Sequence, residues 1–390
     1  MEIKGKIFLK RGKEQSVLRR HPWLFSGAIN KAEGVIADGD WVSVIDASGN
    51  ILGYGHHQKG SITVRLLSFD PAVPRVDFYT EKISTAARQR ANINIQSSTT
   101  NAYRLVHGEG DGLPGLIVDV YNGVAVIQAH SHGMHSDRIA IAEAIKDVFN
   151  ENVTAVFYKN QLGKTTRGEY LLGMSAVPHT ILEYNHKFLV DWEEGQKTGF
   201  FLDQRENRML LASYAMNRTV LNTFCYTGGF SVYAAQAGAA LVHSVDASER
   251  AVEMTKKNLT LNGFDPTQHK CFTADTFDFL KGKEDDYDLI ILDPPAFAKH
   301  KDSKHQAMKG YQRLNLEAIK KIKKGGIIFT FSCSQVVDRQ LFYDTVVSSA
   351  IQSGREIQVL QHLSQPADHP VSIYHREGEY LKGLVLYVGG

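Results

Sequence analysis

From about residue 186 onward, short and almost continuously apolar runs alternate with stretches of helical spacing, and this rhythm constrains the fold more than any other feature of the 390-residue chain. Strand candidates are 220–224, 241–246, 270–274, 288–292, 326–332, 356–361 and 381–387. Helical spacing occupies 204–216, 229–237, 248–261, 311–323 and 338–353. Strands that are apolar on both faces need cover on both faces, which predicts a doubly wound α/β domain. Ligands of such sheets bind beyond the carboxyl ends of the strands. The last residue of each strand and the loop after it therefore become the search space.

The chain before that point is organised differently. Residues 1–70 read as short alternating strands (40–45, 51–54, 61–67) broken by turns, the pattern of a small barrel. Pro71 and Pro74 punctuate the chain as a linker. A helix is expected over 76–93, and strands at 116–121 and 124–129 flank the hairpin signal Asn122-Gly123. A helix at 136–149 and a strand at 155–159 follow. The expected organisation is a β domain over 1–70, an α+β domain over 71–185 and the α/β domain over 186–390.

Net charge excludes a simple polycation: 44 Lys and Arg stand against 42 acidic residues. The near-neutral total conceals two basic blocks. Residues 1–31 carry +6, including Lys10, Arg11, Arg19 and Arg20, and residues 295–324 carry +7, including Lys299, Lys301 and Lys304. The remaining residues carry −11. Three widely spaced cysteines, Cys225, Cys271 and Cys333, fit neither a disulfide framework nor a metal site of paired cysteines, and point to a reducing compartment. With no apolar leader and no long apolar run, a cytoplasmic location is expected. His130, His132 and His135 lack a tightly spaced Cys or carboxylate, so no metal is expected there; His56 and His57 are expected at the surface.

The strand ends carry the chemistry. The first is followed by Asn222 to Phe230, where Gly228 and Gly229 let backbone approach a ligand and open a helix whose N-terminus accepts an anionic group. The dinucleotide pattern G-x-G-x-x-G is absent, which weighs against a nicotinamide enzyme. Asp246 ends the second strand, where a carboxylate can accept both ribose hydroxyls of a nucleoside cofactor; Asp275 ends the third, suited to an adenine amino group. Either Asp could instead cap the helix that follows. The fourth strand ends in Asp293-Pro294-Pro295, where two prolines fix the backbone behind an acid. The fifth delivers Cys333 between Ser332 and Ser334, where a thiol serves as nucleophile if nearby positive charge lowers its pKa. Cys225 and Cys271 read as small buried hydrophobes.

Together, Asn222–Ser231, Asp246, Asp275, Asp293-Pro294-Pro295 and Ser332-Cys333-Ser334 resemble a class I S-adenosylmethionine-dependent methyltransferase, and within that class the RlmI-type 23S ribosomal RNA cytosine-5 methyltransferases. The resemblance spans the chain. His21-Pro22-Trp23 and Gly53-Tyr54-Gly55 resemble that family's PUA domain, an RNA-binding pseudo-barrel. Residues 195–208 and the ending that contains Asp368-His369-Pro370 and Glu379-Tyr380-Leu381-Lys382-Gly383 resemble other segments of the same family. The implied fold is a Rossmann-like methyltransferase domain with an N-terminal β pseudo-barrel and an α+β middle domain.

The resemblance implies S-adenosyl-L-methionine as cofactor. Thr227, Gly228 and Gly229 would line its methionine moiety, Asp246 its ribose and Asp275 its adenine, with Lys197, Phe200 and Asp203 closing the pocket. Phe224, Ala247, Thr276, Asp293 and Pro294 complete the implied wall. Asp203 and Glu206 also read as a helix capping box. The implied partner is 23S ribosomal RNA with a single-stranded or loop target, bound by Lys10, Arg11, Arg19, Arg20, Lys299, Lys301 and Lys304; no membrane is implied, and a homodimer is a candidate assembly. The implied reaction adds Cys333 to carbon 6 of cytosine so that carbon 5 attacks the methyl group, with Asp293 bonded to the ring. The base that removes the carbon-5 proton is unassigned. A guanine-N7 methyltransferase would keep the cofactor residues without needing the thiol, and a non-catalytic RNA-binding or assembly protein would need neither.

Overall fold

A computed structural model describes residues 2–162, 168–282, 287–298 and 301–390. The chain forms two compact units. One comprises Met1–Ile181, Val190–Leu202 and Ala367–Gly378; the other comprises Leu182–Leu189, Asp203–Pro366 and Glu379–Gly390.

Two sheets build the first unit. β1 (Gly5–Leu9), the short helix α1 (Gln15–Leu18), β2 (Trp23–Phe25), β3 (Ile29–Glu33), β4 (Trp41–Ile45), β5 (Ile51–His57) and β6 (Ile62–Ser68) come first. Their strands pair in the order β2-β6-β5-β4-β1-β3, antiparallel except for β1 against β4. Ile7, Leu24, Val42, Val44, Val64 and Leu66 alternate inward and fill this sheet's core. Next come α2 (Phe78–Asn92), β7 (Ala102–His107), β8 (Leu116–Tyr121), β9 (Val124–Ala129), α3 (His132–Ser136), α4 (Arg138–Phe149), β10 (Ala155–Asn160) and β11 (Glu169–Leu172). These strands pair in sequential order. The β8–β9 hairpin turns on Asn122 at φ 45° and Gly123 at φ 85°, the left-handed pair that the dipeptide predicts.

His56 corrects an expectation. It is buried, with Nε2 3.0 Å from the Asp137 carboxylate, which also accepts from Trp41 Nε1 at 2.8 Å and from the Tyr79 hydroxyl. An acceptor 81 residues away supplies what a buried imidazole needs. His57 is partly exposed. β12 (His179–Glu183) and β13 (His186–Val190) form a separate two-stranded sheet.

The second unit runs α5 (Arg205–Ala215), β14 (Thr219–Thr223), α6 (Gly229–Gln236), β15 (Leu241–Asp246), α7 (Glu249–Leu261), β16 (Cys271–Thr273), α8 (Thr276–Gly282), β17 (Tyr287–Leu292), α9 (Lys304–Lys321), β18 (Ile322–Ser332), α10 (Arg339–Ser353), β19 (Ile357–Ser364) and β20 (Lys382–Val388). Its seven strands lie in the order β16-β15-β14-β17-β18-β20-β19. The first five are parallel, and β20 is antiparallel to both neighbours. Leu221, Ile290 and Ile328 from the sheet pack with Tyr311, Leu314 and Phe342 from the helices. Each such burial stabilises the fold by about 1.5–3 kcal/mol. Strand order reverses between β14 and β17, so the crevice expected to hold a ligand lies over their carboxyl ends.

α9 and α8 depart most from the sequence reading. α9 starts at Lys304 rather than 311, so the basic stretch after Asp293-Pro294-Pro295 is largely helix and not loop. α8 lies where no helix was expected, with Phe279 and Leu280 buried. No helix among the described residues is long and apolar enough to cross a membrane.

Candidate active site at the carboxyl ends of the parallel strands

The loop after β14 takes an unusual path. Phe224 at φ 54°, Tyr226 at φ 48° and Gly228 at φ 78° are all left-handed. Only glycine adopts that region freely; each of the other two costs roughly 1–2 kcal/mol. The strain persists because the loop is tied down along its length. Cys225 N–H donates to the Val245 carbonyl at 3.0 Å, and Tyr226 N–H donates to Asp246 Oδ2 at 2.9 Å. The Thr255 hydroxyl donates to the Tyr226 carbonyl at 2.9 Å, and Asn258 Nδ2 to the Thr227 carbonyl at 2.7 Å. A Cβ on Gly228 would stand 2.6 Å from Thr255 Cγ2, so this residue must be glycine on both conformational and steric grounds. Beneath the loop, Ser231 bonds both Asn222 Nδ2 at 2.8 Å and the Ser244 hydroxyl at 2.7 Å.

Asp246 and Asp275 stand at neighbouring strand ends and differ in use. Asp246 leaves the capping of α7 to Ser248, whose hydroxyl accepts from Ala251 N–H at 3.3 Å. Its Oδ1 accepts from Ser248 N–H at 2.9 Å while Oδ2 holds Tyr226, so one carboxylate fixes both flanking loops. Asp275 does act as a cap: Oδ1 accepts from Phe277 N–H at 2.8 Å and Asp278 N–H at 3.1 Å. Its Oδ2 takes no hydrogen bond among the described residues, and the residue is exposed. Ala247 and Thr276 follow the two acids directly, the first exposed and the second buried.

Asp293 and Pro294 follow β17, and Cys333 follows β18; the two strands are parallel neighbours. Asp293 and Cys333 are both half-buried. Ser334 is pinned by its hydroxyl to the Ala298 carbonyl at 2.8 Å, which ties the Cys333 loop to the chain leaving Asp293-Pro294-Pro295. The buried Tyr311 hydroxyl of α9 is pushed up to about 12, chiefly by burial, and the neighbouring Cys333 and Asp293 add to the rise. Both catalytic candidates therefore lie within electrostatic reach of one phenol. Burial pushes the Cys225 and Cys271 thiols up, away from the reactive thiolate form.

Phe224, Thr227, Gly228, Gly229, Asp246, Ala247, Asp275, Thr276, Asp293, Pro294 and Cys333 thus share the carboxyl side of five consecutive strands in the second unit. Asp203 is also in this unit, where its Oδ2 accepts from the Tyr380 hydroxyl at 2.6 Å. The Asp203–Glu206 capping box does not form: α5 has no side-chain cap, and Glu206 bonds Tyr184 and Arg205. Lys197 and Phe200 belong to the first unit. There Lys197, at φ 48°, holds its ammonium 4.5 Å from the centre of the Phe201 ring, and Phe200 is buried.

Of the basic residues, Lys10, Arg11, Arg19 and Arg20 are exposed in the first unit, with Lys10 Nζ donating to the Gly27 carbonyl at 3.1 Å. Lys304 opens α9. Lys299 lies outside the described residues, and Lys301 is described by its backbone alone. His130 and His135 are both pushed down by burial, and His135 Nδ1 sits 2.7 Å from the Tyr158 hydroxyl. A different trio, His21, His375 and Glu377, brings potential ligand atoms within 4.8 Å of one another in the first unit.

Sequence reasoning overlooked Tyr311, Tyr380, Thr255 and Asn258, whose partners are distant in the chain. The segment Glu379–Gly383 held the one available signal, a resemblance without a role attached.

Comparison with known proteins agrees with this geometry. Residues 7–69 match a PUA-like domain family, and residues 104–373 match the S-adenosylmethionine-dependent methyltransferase family. The ribosomal RNA large subunit methyltransferase I of Aeromonas hydrophila is 37% identical, covering 98% of this chain and 99% of that protein. The protein of the same name from Pseudoalteromonas atlantica is 39% identical, covering 99% of this chain and all of that protein. A solved methyltransferase structure complexed with SAH is 26% identical with a TM-score of 0.86, covering 99% of this chain and 100% of that one. Full-length identity of this order, joined to a glycine loop and acidic strand ends suited to a nucleoside cofactor, places the chain in the ribosomal RNA large subunit methyltransferase I family of S-adenosylmethionine-dependent enzymes.

Proposed function

We propose that the protein transfers a methyl group from S-adenosylmethionine to carbon 5 of a cytosine in 23S ribosomal RNA, with Cys333 as the nucleophile. The observation that carries this reading is the placement of Cys333 and Asp293 at adjacent strand ends, with β17 bordering the strand that leads into the glycine loop.

The residues present suit the cofactor. Asp246 offers carboxylate lone pairs toward a ribose, Asp275 Oδ2 is available to an amino group, and Gly228 brings bare backbone to a ligand. When bound, S-adenosylmethionine supplies a methyl group on a sulfonium, an electrophile that carbon 5 must attack. Carbon 5 of cytosine is too weak a nucleophile unaided. The Cys333 sulfur forms a bond to carbon 6, and the electrons of the ring double bond become available at carbon 5. Asp293, protonated when the base is bound, donates to N3 and offsets the negative charge that thiolate addition places on the ring, while its other oxygen accepts from the amino group. After carbon 5 has accepted the methyl group, with the methyl–sulfur bonding pair leaving on S-adenosylhomocysteine, a base removes the carbon-5 proton; the carbon 6–sulfur bond then breaks, restoring the ring double bond and the Cys333 thiolate. The target base must leave its stack to reach these residues, which favours a single-stranded or loop region. Lys10, Arg11, Arg19 and Arg20 supply exposed positive charge for the phosphates, and an rRNA substrate fits a cytoplasmic location.

Methyl transfer to deproteinised large-subunit rRNA tests the reading. Cys333→Ala should abolish 5-methylcytosine formation while S-adenosylmethionine binding, measured by calorimetry, survives. Full activity in that variant would remove the thiol mechanism, and 7-methylguanine as the product would carry the guanine reading instead.

A further inference from the structure

Lys382 is almost fully buried, at 4% exposure, in the same unit as Cys333. It begins β20 and lies directly across the antiparallel ladder from Ser332, the residue before Cys333. Its ammonium donates to the Ser334 and Val337 carbonyls, each at 2.6 Å, so it spans the loop that begins with the thiol. Those bonds use two of three donors. Among the described residues no carboxylate pairs with it, although a buried ammonium is costly without a counter-charge.

We propose that Lys382 is a positioning residue whose fixed ammonium holds Cys333 in the thiolate form. This rests on the thiol reading of the active site. The groups around the pair fit such a role. Burial depresses Lys382 to about 8, and negative charge at Cys333 works against that fall. From α10 and the loops beside it, Asp338 and Glu379 also raise Lys382, and Arg339 lowers it. Asp338 is engaged as the α10 cap, accepting from Leu341 N–H at 2.9 Å, and Arg339 is paired with Glu379. From the other side come the buried Tyr311 and the Asp293 carboxylate, whose charge opposes a thiolate. Lys382 is the cation anchored on the Cys333 loop itself. A neutral donor would serve the two carbonyls as well, and of the groups that favour the charge Cys333 acts most strongly.

The test is the pH dependence of Cys333 alkylation by iodoacetamide in the full chain, read on the Cys333 peptide by mass spectrometry. In the unmodified protein the midpoint should lie below the ordinary thiol value of about 8.5. A midpoint at or above that value overturns the proposal without any variant. Lys382→Met should raise the midpoint by about one unit, slowing alkylation at pH 7 roughly tenfold, with S-adenosylmethionine binding as the check on folding. Lys382→Arg should restore most of the reactivity. An unchanged midpoint in folded Lys382→Met protein shows that the lysine only braces the loop. Alkylation does not depend on catalysis, whereas the methyl-transfer assay of Cys333→Ala does, so failure of this proposal and failure of the thiol reading give different results.

Discussion

The Tyr226 amide donates to Asp246 Oδ2 at 2.9 Å, joining the left-handed loop after β14 to the carboxylate at the next strand end. Asp246 also holds Ser248 N–H. One side chain therefore fixes both flanking loops before any ligand enters, and it is the residue proposed to take the ribose of the cofactor.

Replacing Asp246 with Ala should remove both roles. Hydrogen bonds to a charged group contribute about 1.5–3 kcal/mol each, so S-adenosylmethionine affinity should fall by at least tenfold. Asp246→Asn, which keeps the shape and one acceptor oxygen, should lose less. Calorimetric titration measures both, and unchanged affinity in Asp246→Ala would remove this residue from the cofactor site.

Asp137 supplies a pH prediction. Burial works against its ionisation, but hydrogen bonds from His56, Tyr79 and Trp41, with the His56 charge, outweigh burial and hold it below the ordinary value of 3.8. A carboxylate depressed by folding stabilises the native state above its unfolded pKa, and that contribution disappears as pH falls through the lower folded value. Asp137→Asn should therefore cost about 1.5–3 kcal/mol at pH 7 and flatten the acid limb of the stability curve. Urea denaturation at pH 7 and between pH 4 and 2 checks both effects. Equal losses at every pH would show that ionisation is not the cause.

Exposed charge in the first unit leads to a salt prediction. Changing Lys10, Arg11, Arg19 and Arg20 to Gln should weaken binding to rRNA fragments and reduce the dependence of log affinity on log salt by roughly 0.7 for each phosphate no longer neutralised. Filter binding across a salt series measures the slope. An unaltered slope would make this block a solvated face with no part in RNA binding.

What was legible in the chain was legible for local reasons. Asn122-Gly123 specifies its own hairpin, and the apolar residues of β14, β15, β17 and β18, spaced between helical stretches, point to a doubly covered sheet. Once that sheet is expected, Asp246, Asp275, Asp293 and Cys333 gain meaning from standing at strand ends. Lys382 was seen only as part of a resembling segment, and Tyr311 had no signal, because an antiparallel last strand and a helix face carry them toward Cys333 from elsewhere in the chain. The first turns of α9, rich in charged and polar residues from Lys304 to Gly310, hide their helical character until Ala307 and Tyr311 are seen to be buried. His56 looked exposed because nothing near it in sequence announces Asp137.

Incubation with 5-fluorocytosine-containing large-subunit rRNA and S-adenosylmethionine is the sharpest trial of the chemistry. A fluorine on carbon 5 cannot leave as a proton, so the adduct cannot eliminate. Denaturing electrophoresis should show an RNA–protein complex that resists dissociation, with the crosslink on the Cys333 peptide and absent in Cys333→Ala. Methylated RNA released without a complex, or a complex that persists in Cys333→Ala, would contradict the assignment of Cys333 as the nucleophile.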